Sequence, residues 1–336
     1  ISAALLVLAA PRGLRAPTMF LAAATALWLL LDYEFGAASA VAQMGLPVVL
    51  LNLDALNRIF GIASLIALIA MSIYAVARPN RYEDAAILMM AGGVISALFV
   101  GDLVSFVAAA ALAGLAGAWL VFCSPVQGAN RAGIRMLVWN GLEGLLLLVG
   151  VAFHLSSGAA STVFERLDVQ SVGGACIFAA LMIRVGAPFA HVWVKDTIAH
   201  ASPLGGAALS ALSTMVGVYA LARLFPAEPL LVPVGAAMIV LGALYASTVD
   251  DLRAGAAYGL MTQTGVSVAL IGVGSPLAVA AAEGHVFAAV FVFVALQMAL
   301  GGVLARRGAV RLSQFEGLSG AMAGSAALRV VRGLAD

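Results

Sequence analysis

Long apolar stretches, separated by short polar breaks, run along most of the chain. A helix needs about 20 mostly apolar residues to cross a bilayer core of roughly 30 Å. On this criterion the pattern predicts ten membrane spans, preceded by the end of one more helix at residues 1–10. The predicted spans are 16–31, 55–77, 85–100, 103–122, 132–155, 172–192, 203–224, 229–248, 254–274 and 279–304.

The pattern favours helices over a membrane β-barrel. Strands of such a barrel alternate apolar and polar residues, whereas this chain has continuous apolar runs. The run from Ala85 to Phe122 is too long for one span, and Gly101-Asp102 is the natural place for a turn. We therefore predict an all-α fold, a polytopic membrane bundle of about 10–11 transmembrane helices.

The composition agrees with a membrane protein and excludes several other classes of protein. Of the 336 residues, 63% are hydrophobic and 10% are charged, whereas soluble domains carry about 25% charged residues. A soluble enzyme, a secreted disulfide scaffold and a disordered chain are excluded. The four histidines and two cysteines are scattered, so we expect no metal site, no cofactor and no catalytic residue. We also expect no nucleic-acid partner.

Basic residues indicate the orientation of the predicted spans. Cytoplasmic loops of membrane proteins are rich in Lys and Arg. Alternate loops place three basic residues on one side, namely Arg58, Arg166 and Arg223. The other side, predicted to be cytoplasmic, holds eleven: Arg12, Arg15, Arg78, Arg81, Arg131, Arg135, Lys195, Arg253, Arg306, Arg307 and Arg311.

Few polar side chains remain inside the predicted spans, and each is costly there. Besides Asn140 and Gln297, five residues are candidates for an ion pathway or for buried charge. They are Asp102, Glu143, Arg184, His191 and His285. Lys195, the only lysine of the chain, lies outside the spans.

Glu143 and Arg184 lie at similar depth in sequential antiparallel spans. They are 11 and 12 residues from the starts of their spans, or roughly 16–18 Å from opposite faces. Pairing lowers the cost of two buried charges, so we expect the two side chains to meet. The alternative is that each faces a separate aqueous cavity or a partner subunit.

The second of these spans is predicted to be irregular. Gly186 and Pro188 interrupt the apolar run just before Trp193 and Lys195, which mark a membrane interface. Broken helices at mid-membrane recur in transporters, where they line ion cavities. We therefore predict a broken helix near 184–192.

Several segments resemble, in the same order, the antiporter-like membrane subunit family. They are Leu53-Asp54-Ala-Leu56, Arg184-x6-His191-Val-Trp193-Val-Lys195-Asp196, Val218-Tyr-Ala-Leu-Ala-Arg223 and Asp251-Leu252-Arg253. The family includes the D-type subunits of Mrp cation/proton antiporters and the proton-pumping subunits of respiratory complex I. The resemblance covers roughly residues 50–320 and is closest to the Mrp-type relatives.

The resemblance implies inverted five-helix repeats and a mid-membrane row of Glu, Lys and His residues that moves protons. The family's glutamate falls here at Ala111, and its lysines fall at Arg184, Met215 and Ala289. His285 alone keeps a titratable relay side chain. Because arginine keeps its proton in proteins, the resemblance implies a degenerate proton path.

Three functions follow from the resemblance. The first is an accessory or structural membrane subunit of a multi-subunit Mrp-type cation/proton antiporter. The second is a conducting subunit that uses altered residues and water. The third is an antiporter-like arm of a redox-driven complex, such as NADH-quinone oxidoreductase, a membrane hydrogenase or an inorganic-carbon uptake complex; there the chain is at most a non-catalytic part of an enzyme.

The implied partners are other membrane subunits, including a sister antiporter-like subunit, the lipid bilayer, and protons or monovalent cations. The implied location is a bacterial inner membrane.

The chain is predicted to have three parts. Residues 1–31 form N-terminal membrane helices, 32–304 the antiporter-like transmembrane domain, and 305–336 a tail on the cytoplasmic side. We expect the family's later helices to be missing after this tail. Because Ile1 is the first residue, we also expect the true start to be missing.

Overall fold

The chain folds into a bundle of helices with one β-hairpin. The computed structural model describes residues 1–43, 46–77, 80–157, 163–307 and 311. In chain order the elements are α1 (Ser2–Ala9), α2 (Arg12–Asp32), β1 (Gly36–Gln43), β2 (Leu46–Leu53), α3 (Ala55–Ala75), α4 (Arg81–Phe99), α5 (Leu103–Phe122), α6 (Ala129–Ser156), α7 (Val172–Val185), α8 (Val192–His200), α9 (Pro203–Leu212), α10 (Met215–Leu224), α11 (Leu231–Thr248), α12 (Leu252–Val273) and α13 (Pro276–Arg307).

The prediction of an all-α polytopic bundle is confirmed. Within the described part of the chain, nine spans are long and apolar enough to cross a membrane, and they coincide with nine of the ten predicted spans to within a few residues. The tenth predicted span contains α7, which has only 14 residues. Residues 312–336, predicted to be a cytoplasmic tail, lie outside the described residues.

The predicted helix break near 184–192 is confirmed. Helix α7 ends at Val185, and α8 begins at Val192. Gly186 caps α7 with a φ of 71°, a left-handed conformation that glycine adopts without strain. The amide of Ala187 then donates to the carbonyl of Met182 at 2.9 Å, which closes the helix end.

The span predicted at 203–224 is present in two pieces. A turn at Ser213 and Thr214 separates α9 from α10, an interruption that was not predicted from the sequence. Every residue of the most apolar 18-residue window in this span is buried. The interrupted span is therefore the central one of the bundle.

The β-hairpin was also not predicted. Strands β1 and β2 pair antiparallel, with Gly36 opposite Leu53 and Ala38 opposite Leu51. The hairpin is held where α4 and α5 join, because the Gly101 amide donates to the Val49 carbonyl at 2.8 Å. It therefore covers one end of the bundle without changing the all-α class.

Helices α6 and α7 approach each other through two glycines. A Cβ at Gly150 would lie 2.9 Å from the carbonyl oxygen of Gly173, and a Cβ at Gly173 would lie 2.8 Å from that of Gly150. Small residues permit such close contact between membrane helices. This contact fixes which residues of α6 face α7 further along the pair.

We predict that Gly150→Ala destabilises the protein by about 1–3 kcal/mol, since the new methyl group overpacks the α6–α7 contact. Gly141→Ala is the matched control, because it lies on the same helix and a Cβ added there would have no atom within 4 Å. Thermal unfolding of the purified protein in detergent measures both. Equal melting temperatures for the two variants would contradict the close contact.

Candidate functional site

Glu143 of α6 and Arg184 of α7 form a buried ion pair. Arg184 Nε donates to Glu143 Oε1 at 2.6 Å, and the side chains of Arg184 and Glu143 are only 5% and 2% exposed, respectively. The contact predicted from their depth in the sequence is confirmed. An opposite charge at this distance compensates each group for the loss of water.

The guanidinium of Arg184 also reaches α5, and its stem packs against α10. Its Nη2 donates to the carbonyl of Ala110 at 3.0 Å. A Cβ at Gly217 would lie 2.8 Å from Arg184 Cγ, so α10 packs tightly against the arginine stem. Ala111, the position of the family's glutamate, is exposed. The carboxylate that pairs with the arginine therefore comes from α6.

Side chains satisfy the backbone around the break between α7 and α8. The indole Nε1 of Trp193 donates to the carbonyl of Ile183 at 2.9 Å. At the far end of α8, Arg253 donates to the carbonyl of Ile198 at 2.9 Å and also to that of Ala201. These bonds hold the broken segment in one arrangement, because carbonyls away from water need partners.

His191 lies at the start of α8, inside the predicted break. Its ring stacks on Tyr245 with a centroid distance of 5.5 Å, and Tyr258 lies 6.1 Å away. The buried Nδ1 atom has no hydrogen-bond partner among the described residues. His191 is thus part of an aromatic cluster, and the helix break separates it from Arg184.

Lys195, the only lysine of the chain, forms an ion pair with the buried side chain of Asp196. Its Nζ lies 2.9 Å from Asp196 Oδ1, and Arg135 donates to the other carboxylate oxygen. Burial alone would raise the pKa of Asp196, but the hydrogen bonds and charges of Lys195 and Arg135 hold that pKa below its usual value. Lys195 itself is 34% exposed.

Asp102 serves the fold at the end of the bundle that holds the hairpin. One carboxylate oxygen accepts from the Ser105 amide at 2.8 Å and caps α5, as Asp commonly does. The other accepts from the Val49 amide of the hairpin at 3.0 Å. Both oxygens of this fully buried side chain are therefore bound by backbone amides.

The remaining predicted positions gather elsewhere. Met215 and Ala289 line one small cavity between α9, α10, α12 and α13. His285 lies one helical turn before Ala289 on α13, and its buried Nε2 has no hydrogen-bond partner in the described part of the chain. The structure therefore brings two of the lost relay positions together in a cavity that neither Glu143 nor Arg184 lines.

Two further buried acids at the start of α4 were not predicted. Glu83 accepts a hydrogen bond from Ser202, and Asp84 lines a cavity of about 320 Å³ together with Arg12 and Arg15. The predicted span began at residue 85, although α4 begins at Arg81. Extending the helix by one turn would have placed both acids inside the bundle.

An ion pair between Asp54 and Arg223 was also missed. Arg223 stood at a predicted span end, where a long side chain can reach water without a partner. Their separation of 169 positions in the chain leaves no local signal for the contact.

We predict that Glu143→Ala lowers the free energy of unfolding by about 3–5 kcal/mol, because it leaves Arg184 buried without its counter-ion. Adding Arg184→Met recovers a large part of that loss, since a buried charge is then replaced by an apolar chain. Glu165→Ala, at an exposed site, is the control. The coupling is measured by denaturant unfolding of these variants, of Arg184→Met alone and of the unaltered protein. Additive losses in the double variant would contradict the contact.

Comparison with known proteins identifies the family. Residues 100–333 match the family model described as "NADH:quinone oxidoreductase/Mrp antiporter, TM". NADH-ubiquinone oxidoreductase chain 5 of Chlamydomonas reinhardtii is 29% identical over 203 residues, which cover 58% of this chain and 35% of that protein. NAD(P)H-quinone oxidoreductase chain 5 of a Picosynechococcus species is 31% identical over 150 residues, covering 39% and 23%. The chain thus spans about a third or less of the length of these curated relatives.

Solved structures share the fold. A chain in respiratory complex I from Thermus thermophilus with bound NADH aligns with a TM-score of 0.86 at 22% identity, covering 98% of this chain and 74% of that one. A chain in the Mrp complex from Dietzia sp. aligns with a TM-score of 0.83 at 22% identity, covering 93% and 64%. The family model matches well over half of the sequence, and so the protein belongs to the NADH:quinone oxidoreductase/Mrp antiporter transmembrane family.

Proposed function

We propose that the chain is an accessory membrane subunit of a multi-subunit Mrp-type cation/proton antiporter, and that its own proton path is degenerate. Family membership and the fold shared with a chain of an Mrp complex support the assembly. The buried Glu143–Arg184 pair carries the argument for the accessory role.

Arg184 is chemically unsuited to pass a proton on. Lysine can lose its proton when it is buried, whereas arginine stays charged in proteins. A permanent cation 2.6 Å from Glu143 favours the ionised carboxylate. The pair then acts as an ion pair in which both groups stay charged, and it joins α6 to α7.

The other candidate positions support the same proposal. Met215 and Ala289 carry no titratable group, and the partly exposed Lys195 is paired with the buried carboxylate of Asp196. Both oxygens of Asp102 are occupied by backbone amides. Of the five candidates for an ion pathway or buried charge, two are histidines, His191 and His285. Each has a buried ring nitrogen without a hydrogen-bond partner in the described part of the chain.

The proposed setting is a bacterial inner membrane, with a sister antiporter-like subunit among the partners. Arg135, Lys195 and Arg253 gather around α8, which supports one Arg-rich, cytoplasmic end. The division into 1–31, 32–304 and 305–336 belongs to this proposal as well.

A second candidate function is the antiporter-like arm of a redox-driven complex. The curated relatives named above favour it, since both are chain 5 of quinone oxidoreductases. Affinity purification of the intact complex in mild detergent distinguishes the two assemblies. We expect small antiporter subunits to co-purify; redox subunits with iron–sulfur or flavin absorbance would favour the second candidate.

The accessory role predicts that cation/proton exchange survives loss of the charge pair. In inverted vesicles, we expect ΔpH-driven exchange per assembled complex to be unchanged by the combined Glu143→Gln and Arg184→Met variant, and by His285→Ala. Immunoblotting of the purified complex supplies the amount of assembly. Loss of exchange in either variant at a normal amount of complex would show that this chain conducts.

A further inference from the structure

A cavity of about 320 Å³ lies between the start of α2, the end of α3 and the start of α4. Sequential spans run in opposite directions, so these three helix ends lie at the same end of the bundle, the one predicted to be cytoplasmic. Cavities that hold small molecules commonly enclose about 300–1,000 Å³. The space is therefore large enough for a molecular ligand at the depth of the lipid headgroups.

Two cations and one anion line this cavity. Arg12 and Arg15 lie on the first turn of α2, and Asp84 lies on the first turn of α4. Arg15 donates through Nε to the Ala10 carbonyl at 3.1 Å, a bond that does not use its two Nη groups. Arginine can therefore bind an anion in the cavity, because these terminal groups match the oxygens of a phosphate.

The carboxylate of Asp84 lacks a hydrogen-bonded cation. Asp84 is 1% exposed, and the charge of Arg15 acts on it. It belongs to none of the four ion pairs found among the described residues, and its Oδ1 accepts no hydrogen bond from them. A buried carboxylate in this state is costly, so the cavity favours a ligand that also brings a cationic donor.

The rest of the lining is apolar and opens to the outside of the bundle. Pro17, Ala75 and Val76 form this part of the wall. Val76 is 67% exposed, and Arg12 is exposed as well. In a membrane such an opening meets lipid, because the helix ends around it lie at the edge of the apolar spans.

The mixed charges decide between classes of lipid. Basic pockets between membrane helices on the cytoplasmic side bind lipid headgroups. A headgroup that carries only negative charge would meet Asp84, and a simple cation would meet both arginines. A headgroup with a phosphate and an ammonium satisfies all three side chains. The ammonium must carry N–H groups to bind the carboxylate, which the quaternary ammonium of phosphatidylcholine lacks.

We propose that this cavity binds the headgroup of one phosphatidylethanolamine molecule. Its phosphate binds Arg12 and Arg15, its ammonium donates to Asp84, and its acyl chains leave over the apolar wall at Pro17 and Val76. The lipid joins the first two helices of α2–α4 to the third at their common end. This site goes beyond the accessory function, because the lipid binds whether or not the subunit moves ions.

Native mass spectrometry of the purified, delipidated complex tests the site. The complex is titrated with phosphatidylethanolamine, phosphatidylcholine and phosphatidylglycerol of the same acyl chains, and the bound lipids are counted. We expect one phosphatidylethanolamine to bind about tenfold more tightly than either other lipid, the effect of one hydrogen bond between charged groups.

Two variants separate the roles of the charges. Arg12→Gln, at an exposed position, is expected to weaken all three lipids about tenfold, since each carries a phosphate. Asp84→Asn keeps the shape of the side chain but removes its charge, so it weakens phosphatidylethanolamine and strengthens phosphatidylglycerol. Arg131→Gln is the matched control, because Arg131 is exposed at the start of α6 and does not line the cavity.

Three outcomes would overturn the proposal. The first is equal binding of phosphatidylethanolamine and phosphatidylcholine by the unaltered complex. The second is tighter binding of phosphatidylglycerol, which would show a site for anionic headgroups. The third is that Arg12→Gln binds phosphatidylethanolamine as tightly as Arg131→Gln does, which would place the lipid elsewhere on the complex. None of these outcomes depends on the folding of the buried Asp84→Asn variant.

Discussion

The cost of placing charge inside a bilayer shapes the centre of this protein. A charged side chain at mid-membrane costs several kcal/mol unless it finds a partner. Glu143 and Arg184 meet that condition for each other, and Arg184 adds the Ala110 carbonyl as a second acceptor. Helices α5, α6 and α10 thereby all contact one arginine side chain of α7.

Helix packing makes this pairing possible. The approach of Gly150 to Gly173 sets the register of α6 against α7, and Gly217 leaves room for the arginine stem on α10. Between α7 and α8 the helix stops, and Trp193 donates there to the Ile183 carbonyl, while Arg253 donates to carbonyls at the far end of α8. Hydrogen bonds thus hold both ends of the irregular segment.

The features that depend on composition, depth or helix breakers could be predicted from the sequence. Apolar run lengths placed the spans, equal depth predicted the Glu143–Arg184 contact, and Gly186 with Pro188 predicted the break. Each of these signals is local or follows from the bilayer thickness. The family was also identified from motif order alone.

The features that could not be predicted depend on distant contacts. The hairpin strand Gly36–Gln43 is rich in small residues and shows no alternation, so nothing in it indicates a strand. Asp102 looked like a membrane charge; its cap of α5 through the Ser105 amide is a local contact, but its bond to the Val49 amide depends on the hairpin. The turn at Ser213 and Thr214 has no Gly or Pro to mark it. The cavity beside that turn is lined by the central span and by α12 and α13, which follow it only later in the chain.

The central claim is that Glu143 stays ionised against Arg184 and does not exchange a proton. Infrared difference spectroscopy across neutral pH tests it directly, on the complex labelled with carbon-13 glutamate. We predict no protonated-carboxyl band that belongs to Glu143, so that the spectra of the unaltered protein and of the Glu143→Gln, Arg184→Met double variant agree in that region. A pH-dependent carboxyl band that disappears in the double variant would show that Glu143 titrates, and would contradict the claim.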